Sequence, residues 1–378
     1  MPNRHDDNGM HFIWGGTLPV ILKAFAQNHV GLKYMPTIAK GLIASSIYMP
    51  FRWYERLKYK KMVEKYRIEQ PPIFIIGHWR SGTTHLHNLM SSDPQTAYLS
   101  TLQALFPEML LDEKLRNKVR NMIDDSIPED GKRIQDDVKL GVDEPQEEEF
   151  TLGNMNTHSY YFSAYFPNKT KKYYKKYILF KKVGKKVKKR WKEDYIRLIK
   201  KAILITGGTR YLSKNPPNMG RIPMLLEMFP NAKFVYIRRN PISVFLSMEK
   251  LRLTLMDALK LQDISEKKQI KNTFYVYKKI VKQYEKDKAL IPTGNLVEVS
   301  FEDIEKNPLQ QLQRIYETLS LAGFDMAKPF FEQKITSLSD YKKNKYRISQ
   351  KQLDAILEEW QFAMEKYGYD VPENVEII

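Results

Sequence analysis

Cysteine is absent from the 378 residues. That excludes disulfide staples, Cys-ligated zinc, iron–sulfur clusters, thiol nucleophiles and thiol redox relays. Any chemistry here must run on oxygen and nitrogen groups. Long apolar runs are missing too. The N-terminal stretches Phe12 to Leu22 and Gly41 to Phe51 are each too short to span a bilayer, and Pro19 and Pro50 interrupt them. With Trp14, Tyr48, Trp53, Lys23 and Arg52 around them, they suit core packing, the cover of a lipophilic pocket, or contact with a membrane interface. The first residues lack the basic region, compact apolar stretch and small-residue cleavage site of a secretory signal. A cytoplasmic location is therefore expected, extending to the inner membrane surface. What is present is the composition of a globular enzyme: 42% hydrophobic and 12% aromatic residues. A chain of this length buries about three-quarters of its unfolded surface.

Negative charge is in deficit, with 44 Asp and Glu against 62 Lys and Arg, a net +18. The surplus is local. Residues 169–201 hold 16 basic and 2 acidic residues, so this one stretch carries +14 of the total. A solvated basic helix face and an anionic partner surface both explain such a run. Because the excess belongs to one element, no general affinity for nucleic acid is expected, and peripheral membrane contact falls to the N-terminal extension or to residues 169–201.

Along the chain, strands alternate with helices. A charged helical pattern from Arg52 to Arg67 halts at Pro71-Pro72, and the continuous apolar run Ile73-Phe74-Ile75-Ile76 follows, as in a parallel strand buried on both faces. Gly77 ends it, and helical periodicity resumes from Thr83 to Ser91. A second unit runs from Ala232 to Ile237, turns at Arg239-Asn240-Pro241 and enters a helix. A third begins at Leu296 and leads through Phe301-Glu302-Asp303 to a helix from Pro308 to Leu319. The expected fold is α/β, a P-loop-like parallel sheet flanked by helices. Residues 71–378 read as one catalytic domain and 1–70 as a helical, amphipathic extension.

The loop after the first strand, Gly77-His78-Trp79-Arg80-Ser81-Gly82-Thr83-Thr84, keeps the four-residue gap between glycines of a phosphate-binding P-loop. A nucleotide-triphosphate site needs lysine after the second glycine and an acidic residue on a neighbouring strand for magnesium. This chain has Thr83 in the first position, and its second unit ends in Arg238-Arg239. The loop suits an anion neutralised by side chains and backbone dipoles, with no metal.

Arg80-Ser81-Gly82-Thr83-Thr84 resembles the 5′-phosphosulfate loop of sulfotransferases that use 3′-phosphoadenylyl sulfate (PAPS), with the arginine of their bacterial and tyrosylprotein branches. The family's second signature is an arginine closing a strand and a serine eight residues on, both gripping the 3′-phosphate. Arg239 and Ser247 stand at that spacing, and Lys214 occupies the place of a lysine that reaches the sulfuryl group. Gly220-Arg221-Ile222, followed by Phe229 to Phe234, is a weaker echo of the bacterial branch. The likeness runs in patches from residue 72 to about 350. It implies PAPS as donor, adenosine 3′,5′-bisphosphate as product, and a cradle of Arg80, Ser81, Gly82, Thr83, Thr84, Arg239 and Ser247. Two departures matter. His85 fills the slot where many cytosolic members stack a tryptophan on adenine, and Pro216 stands where their catalytic histidine would be.

Arg80 and Lys214 are accordingly expected at the reacting oxygens. The acceptor's base falls to Glu144, in the acidic cluster Asp143 to Glu149, or to His158; Glu147 to Glu149 equally suit the start of a helix. Five aromatics in the seven residues Tyr160 to Phe166 suit a lipophilic acceptor alcohol, a sterol or steroid first and a glycan or glycolipid second. A P-loop kinase and a non-enzymatic module binding anionic lipid or RNA are the rival classes.

Overall fold

The computed structural model describes residues 11–124, 141–338 and 346–378. Five strands, β1 (Ile73–Ile76), β2 (Thr96–Ala97), β3 (Arg210–Lys214), β4 (Lys233–Arg238) and β5 (Leu296–Ser300), form an all-parallel sheet in the order β2-β3-β1-β4-β5. The α/β expectation holds. All four residues of β1 are buried, as a central strand requires. On one face, Phe74, Phe234 and Tyr236 enter a large core with Trp191, Tyr195 and Trp360. On the other, Ile73, Ile75, Val235, Ile237, Val297 and Val299 pack on Leu312, Ile315, Tyr316 and Phe331.

Strand register positions the site. Ile75 pairs with Lys214 across β1 and β3, Ile76 with Tyr236 across β1 and β4, and Arg238 with Ser300 across β4 and β5. The C-terminal ends of β1, β3 and β4 therefore lie side by side, at the edge where open α/β sheets bind ligands.

The N-terminal part is helical, as expected, but its prolines do not interrupt it. A helix runs unbroken from Met35 to Lys65 through Pro50, and Pro19 sits in the first turn of the helix Leu18–Gln27, where it starts the element. An internal proline removes one helical hydrogen bond, but tertiary contacts hold the turns beside it. Tyr48 meets Phe106 edge-on at 5.3 Å, and the buried Arg52 guanidinium donates to the carbonyls of Gly15 at 2.7 Å and Gly16 at 3.2 Å. Ile13, Val20, Ile21 and Ile38 belong to the same core as Phe74. Among the described residues no helix is long and apolar enough to cross a membrane.

The lysine-rich run folds in pieces. A short helical turn and a π turn cover Thr170–Ile178, and the helix Lys185–Thr206 buries Trp191, Tyr195, Leu198 and Ile199 while keeping its first lysines in solvent.

Candidate active site

Two glycines fix the path of the loop after β1. A Cβ on Gly77 would stand 2.5 Å from the Ile237 carbonyl oxygen, and one on Gly82 would stand 2.2 Å from the Phe301 ring. Gly82 also has φ +90°, which only glycine adopts without strain. Arg80 itself lies at φ 67°, an uncommon conformation for a side-chain-bearing residue and one found at ligand clamps. The helix Thr83–Met90 follows directly, its Gly82 cap supplying no side-chain acceptor to the first amides. Those amides remain suited to an incoming anion.

The second corner meets the first. Arg80 Nε donates to Ser247 Oγ at 2.8 Å, and Arg239 Nη1 donates to the Arg80 carbonyl at 3.3 Å. Asn240 sets this geometry. Its Oδ1 accepts from the amides of Ile242 and Ser243, capping the helix Pro241–Leu251 that carries Ser247, while its own amide donates to Glu302. The Arg239 guanidinium rests 4.3 Å from the Phe301 ring centroid. Phe301 thus supports both corners, with Gly82 on it and Arg239 over it. The His85 ring meets the same residue edge-on at 6.1 Å, and burial lowers its pKa.

From β3, Lys214 reaches Glu147, Nζ to Oε1 2.8 Å, with the lysine side chain only 1% exposed. His87, fully buried, lies near enough to Lys214 that the cation adds to the effect of burial in holding the imidazole neutral. The three glutamates after Gln146 divide their labour. Glu148 is buried, accepts from the Tyr211 hydroxyl at 2.9 Å, and is pushed by burial up to about 7. Glu149 is clamped by Arg221 through contacts of 2.6 and 2.9 Å and accepts from Asn215, Ser159 and the Tyr160 amide. As the sequence allowed, Glu148 and Glu149 open a helix, Glu148–Met155.

Of the residues expected at the site, Arg80, Arg239 and Ser247 come together and Thr83 and Thr84 open the adjoining helix. Lys214 stands on the neighbouring strand. Glu144 pairs with Lys334 at 3.7 Å. His158 lies 5.8 Å from Tyr177, and its pKa falls to about 4 through burial, with Lys23 and Arg190 adding to the effect. Glu147, set aside in the sequence as part of a helix start, is the carboxylate on Lys214. Phe301, the first residue after β5, was visible only as the start of the connection between the third strand and its helix. The aromatic run Tyr160 to Phe166 is buried, and Tyr160 tilts against Trp79, next to Arg80, at 5.4 Å.

A family model described as "Sulfotransferase family" matches residues 71–325. The omega-hydroxy-beta-dihydromenaquinone-9 sulfotransferase Stf3 of Mycobacterium bovis is 30% identical over 318 residues, covering 84% of this chain and 80% of that protein; its Mycobacterium tuberculosis counterpart matches equally. Among solved structures, sulfotransferase STF1 from M. tuberculosis H37Rv aligns with a TM-score of 0.63 at 18% identity over 94% of each chain. STF9 from Mycobacterium avium also gives 0.63, at 14% identity over 86% of this chain and 83% of that one. Both share the fold.

Proposed function

The chain belongs to the sulfotransferase family and is a sulfotransferase; from that premise we propose that its donor is PAPS and its acceptor the hydroxyl of a lipophilic alcohol. The observation that carries the donor assignment is the convergence of Arg80, Ser247 and Arg239, two anion grips joined by direct hydrogen bonds. Arg239 and Ser247 hold the 3′-phosphate. Gly82, Thr83 and Thr84 present backbone N–H groups, and Ser81, Thr83 and Thr84 their hydroxyls, to the 5′ side, while the Ser81 amide donates to the His78 carbonyl at 3.1 Å and shapes the loop. PAPS supplies a sulfuryl group already activated on a phosphate. We take residues 71–378 as the transferase domain, in line with where the family match begins, and 1–70 as its helical extension.

In the reaction the acceptor oxygen bonds to sulfur, the bond from sulfur to the phosphate oxygen breaks, and adenosine 3′,5′-bisphosphate (PAP) departs. Arg80 and Lys214 neutralise the charge that gathers on the oxygens, Lys214 from a side chain only 1% exposed, where such a donor is worth more than in water. Glu147 takes the acceptor's proton. Its contact with Lys214 favours it over Glu144 and His158, whose neighbours are Lys334 for the one and Tyr177, Lys23 and Arg190 for the other. Lys214 in turn orients that carboxylate.

A lipophilic acceptor is supported by the buried aromatic run beside Trp79 and by the name of the 30%-identical relative, which acts on a hydroxylated menaquinone. The broader class of lipid alcohols, sterols and hydroxylated polyprenyl quinones among them, is therefore the proposal. Purified protein with radiolabelled PAPS should transfer label to members of this class. Exclusive transfer to an oligosaccharide would overturn the acceptor, and turnover with ATP and magnesium would overturn the donor.

A further inference from the structure

The middle of the helix Met35–Lys65 is packed the opposite way round from a helix that faces water. Ile38, Gly41 and Val63 are buried towards its two ends, but between them its buried side carries Ser45, Arg52 and Glu55. Arg52 is spent on the carbonyls of Gly15 and Gly16, and Glu55 on the Leu111 amide at 2.7 Å and Lys201 at 2.6 Å. Its outer side carries Ile43, Ile47, Tyr54 and Leu57, spaced by four, seven and three residues and so on one face. Ile43 is 62% exposed, Ile47 59% and Leu57 81%, and the adjoining Trp53 is 64% exposed. A surface helix in water normally shows the reverse arrangement, and a contiguous apolar stripe of this length marks an interaction site.

Charge selects the partner. The same helix holds seven basic and two acidic residues, with Lys58, Lys60 and Lys61 directly after Leu57. It also packs against the lysine-rich helix Lys185–Thr206, where Lys201 pairs with Glu55 and Lys200 donates to the Glu64 carbonyl. At the far end of that helix Lys185, Lys186, Lys188 and Lys189 are exposed. A second copy related by a two-fold axis would set these cations against themselves. An anionic bilayer complements them while accepting the apolar stripe, with Trp53 at headgroup depth.

We propose that the outer face of Met35–Lys65, assisted by the lysines of residues 169–201, docks this protein on an anionic lipid surface. The inference rests on the surface alone and stands or falls independently of donor and acceptor. The full chain is floated with vesicles of phosphatidylcholine, and with vesicles of which roughly a third of the lipid is phosphatidylglycerol. Binding to the anionic vesicles is expected, and Ile43→Glu with Leu57→Glu should lower it roughly tenfold or more while the melting temperature and PAP affinity stay unchanged. Lys185, Lys186, Lys188 and Lys189→Gln should weaken it and flatten its salt dependence. Should the stripe variant fold poorly, brominated lipid provides the check on the unaltered stripe: it should quench the wild-type fluorescence more than that of Trp53→Phe. Absence of vesicle binding, binding indifferent to the stripe, or a dimer in solution that the stripe variant disperses would each overturn the proposal.

Discussion

Arg80 and Ser247 lie 167 positions apart and share a hydrogen bond of 2.8 Å. The contact ties the loop after β1 to the helix after β4, so the two corners proposed to grip the donor are held in register. Preorganisation of this kind is what lets a site stabilise developing charge without reorganising at the moment of reaction.

Arg80→Ala should therefore reduce kcat by about 10²–10³, the usual loss for one preorganised donor. Ser247→Ala should act mainly on donor affinity, raising KM for PAPS. Steady-state kinetics with labelled PAPS separates the two, and near-normal turnover in Arg80→Ala would remove that residue from the chemistry.

Glu147→Gln keeps the size and a polar contact to Lys214 but cannot take a proton. The expected loss in kcat is about 10²–10⁴, with PAP binding by calorimetry unchanged. If instead Glu144→Gln or His158→Asn gave the larger loss and Glu147→Gln kept its rate, the base assignment would move to that residue.

Glu148 gives a pH signature in stability rather than in rate. Its pKa rises from the ordinary 4.5 to about 7 because burial disfavours its charged form. The folded protein therefore binds a proton more tightly than the unfolded chain. The resulting stabilisation is complete below about 4.5 and drains away as pH climbs to about 7, with a magnitude on the order of 3 kcal/mol. Glu148→Gln, which keeps an acceptor for Tyr211, should lose less melting temperature than the parent protein between pH 4.5 and 8. Equal losses would show that Glu148 titrates normally.

Gly82→Ala meets both the Phe301 ring and a backbone at φ +90°. Strain of this kind costs about 1–3 kcal/mol, and displacement of the Phe301 ring would also disturb the seat of Arg239. A lowered melting temperature together with weakened PAP binding is expected; a fall in stability alone would separate Phe301 from the nucleotide site.

Arg221→Ala would strand the Glu149 carboxylate in a buried setting, since the pair is almost wholly withdrawn from solvent. Removing one partner of such a pair costs about 3–5 kcal/mol. Urea unfolding of the variant measures it, and a change under 1 kcal/mol would mean that Asn215, Ser159 and the Tyr160 amide suffice for the carboxylate.

Much of this architecture is legible in the chain. The run Ile73 to Ile76 reads as a central strand because it is continuous and apolar, and the glycine-bracketed loop reads as the tight corner from that strand into the helix Thr83–Met90. β3 is less legible. Its Arg210, Ser213 and Lys214 break the apolar pattern, and these polar groups are buried only because Asp93, Tyr195 and Glu147 receive them. The Lys214–Glu147 contact spans 67 positions and arises from the sheet order, which no local pattern carries. The helix through Pro50 escaped for a related reason. The preference against proline in a helix is local, whereas the contacts of Tyr48 and Arg52 that outweigh it come from distant segments.

Because β1 sits at the middle of the sheet, with β3 on one side and β4 on the other, the groups assigned to the donor are mounted where these strands end and on the helices that follow β1 and β4. Between β2 and β3 in the chain, by contrast, stand Glu147, the aromatic run and the lysine-rich segment. That stretch supplies both the carboxylate on Lys214 and the rings of Trp191 and Tyr195 in the core against the sheet, so a change in what the site admits has to be made within it while those three positions hold their places.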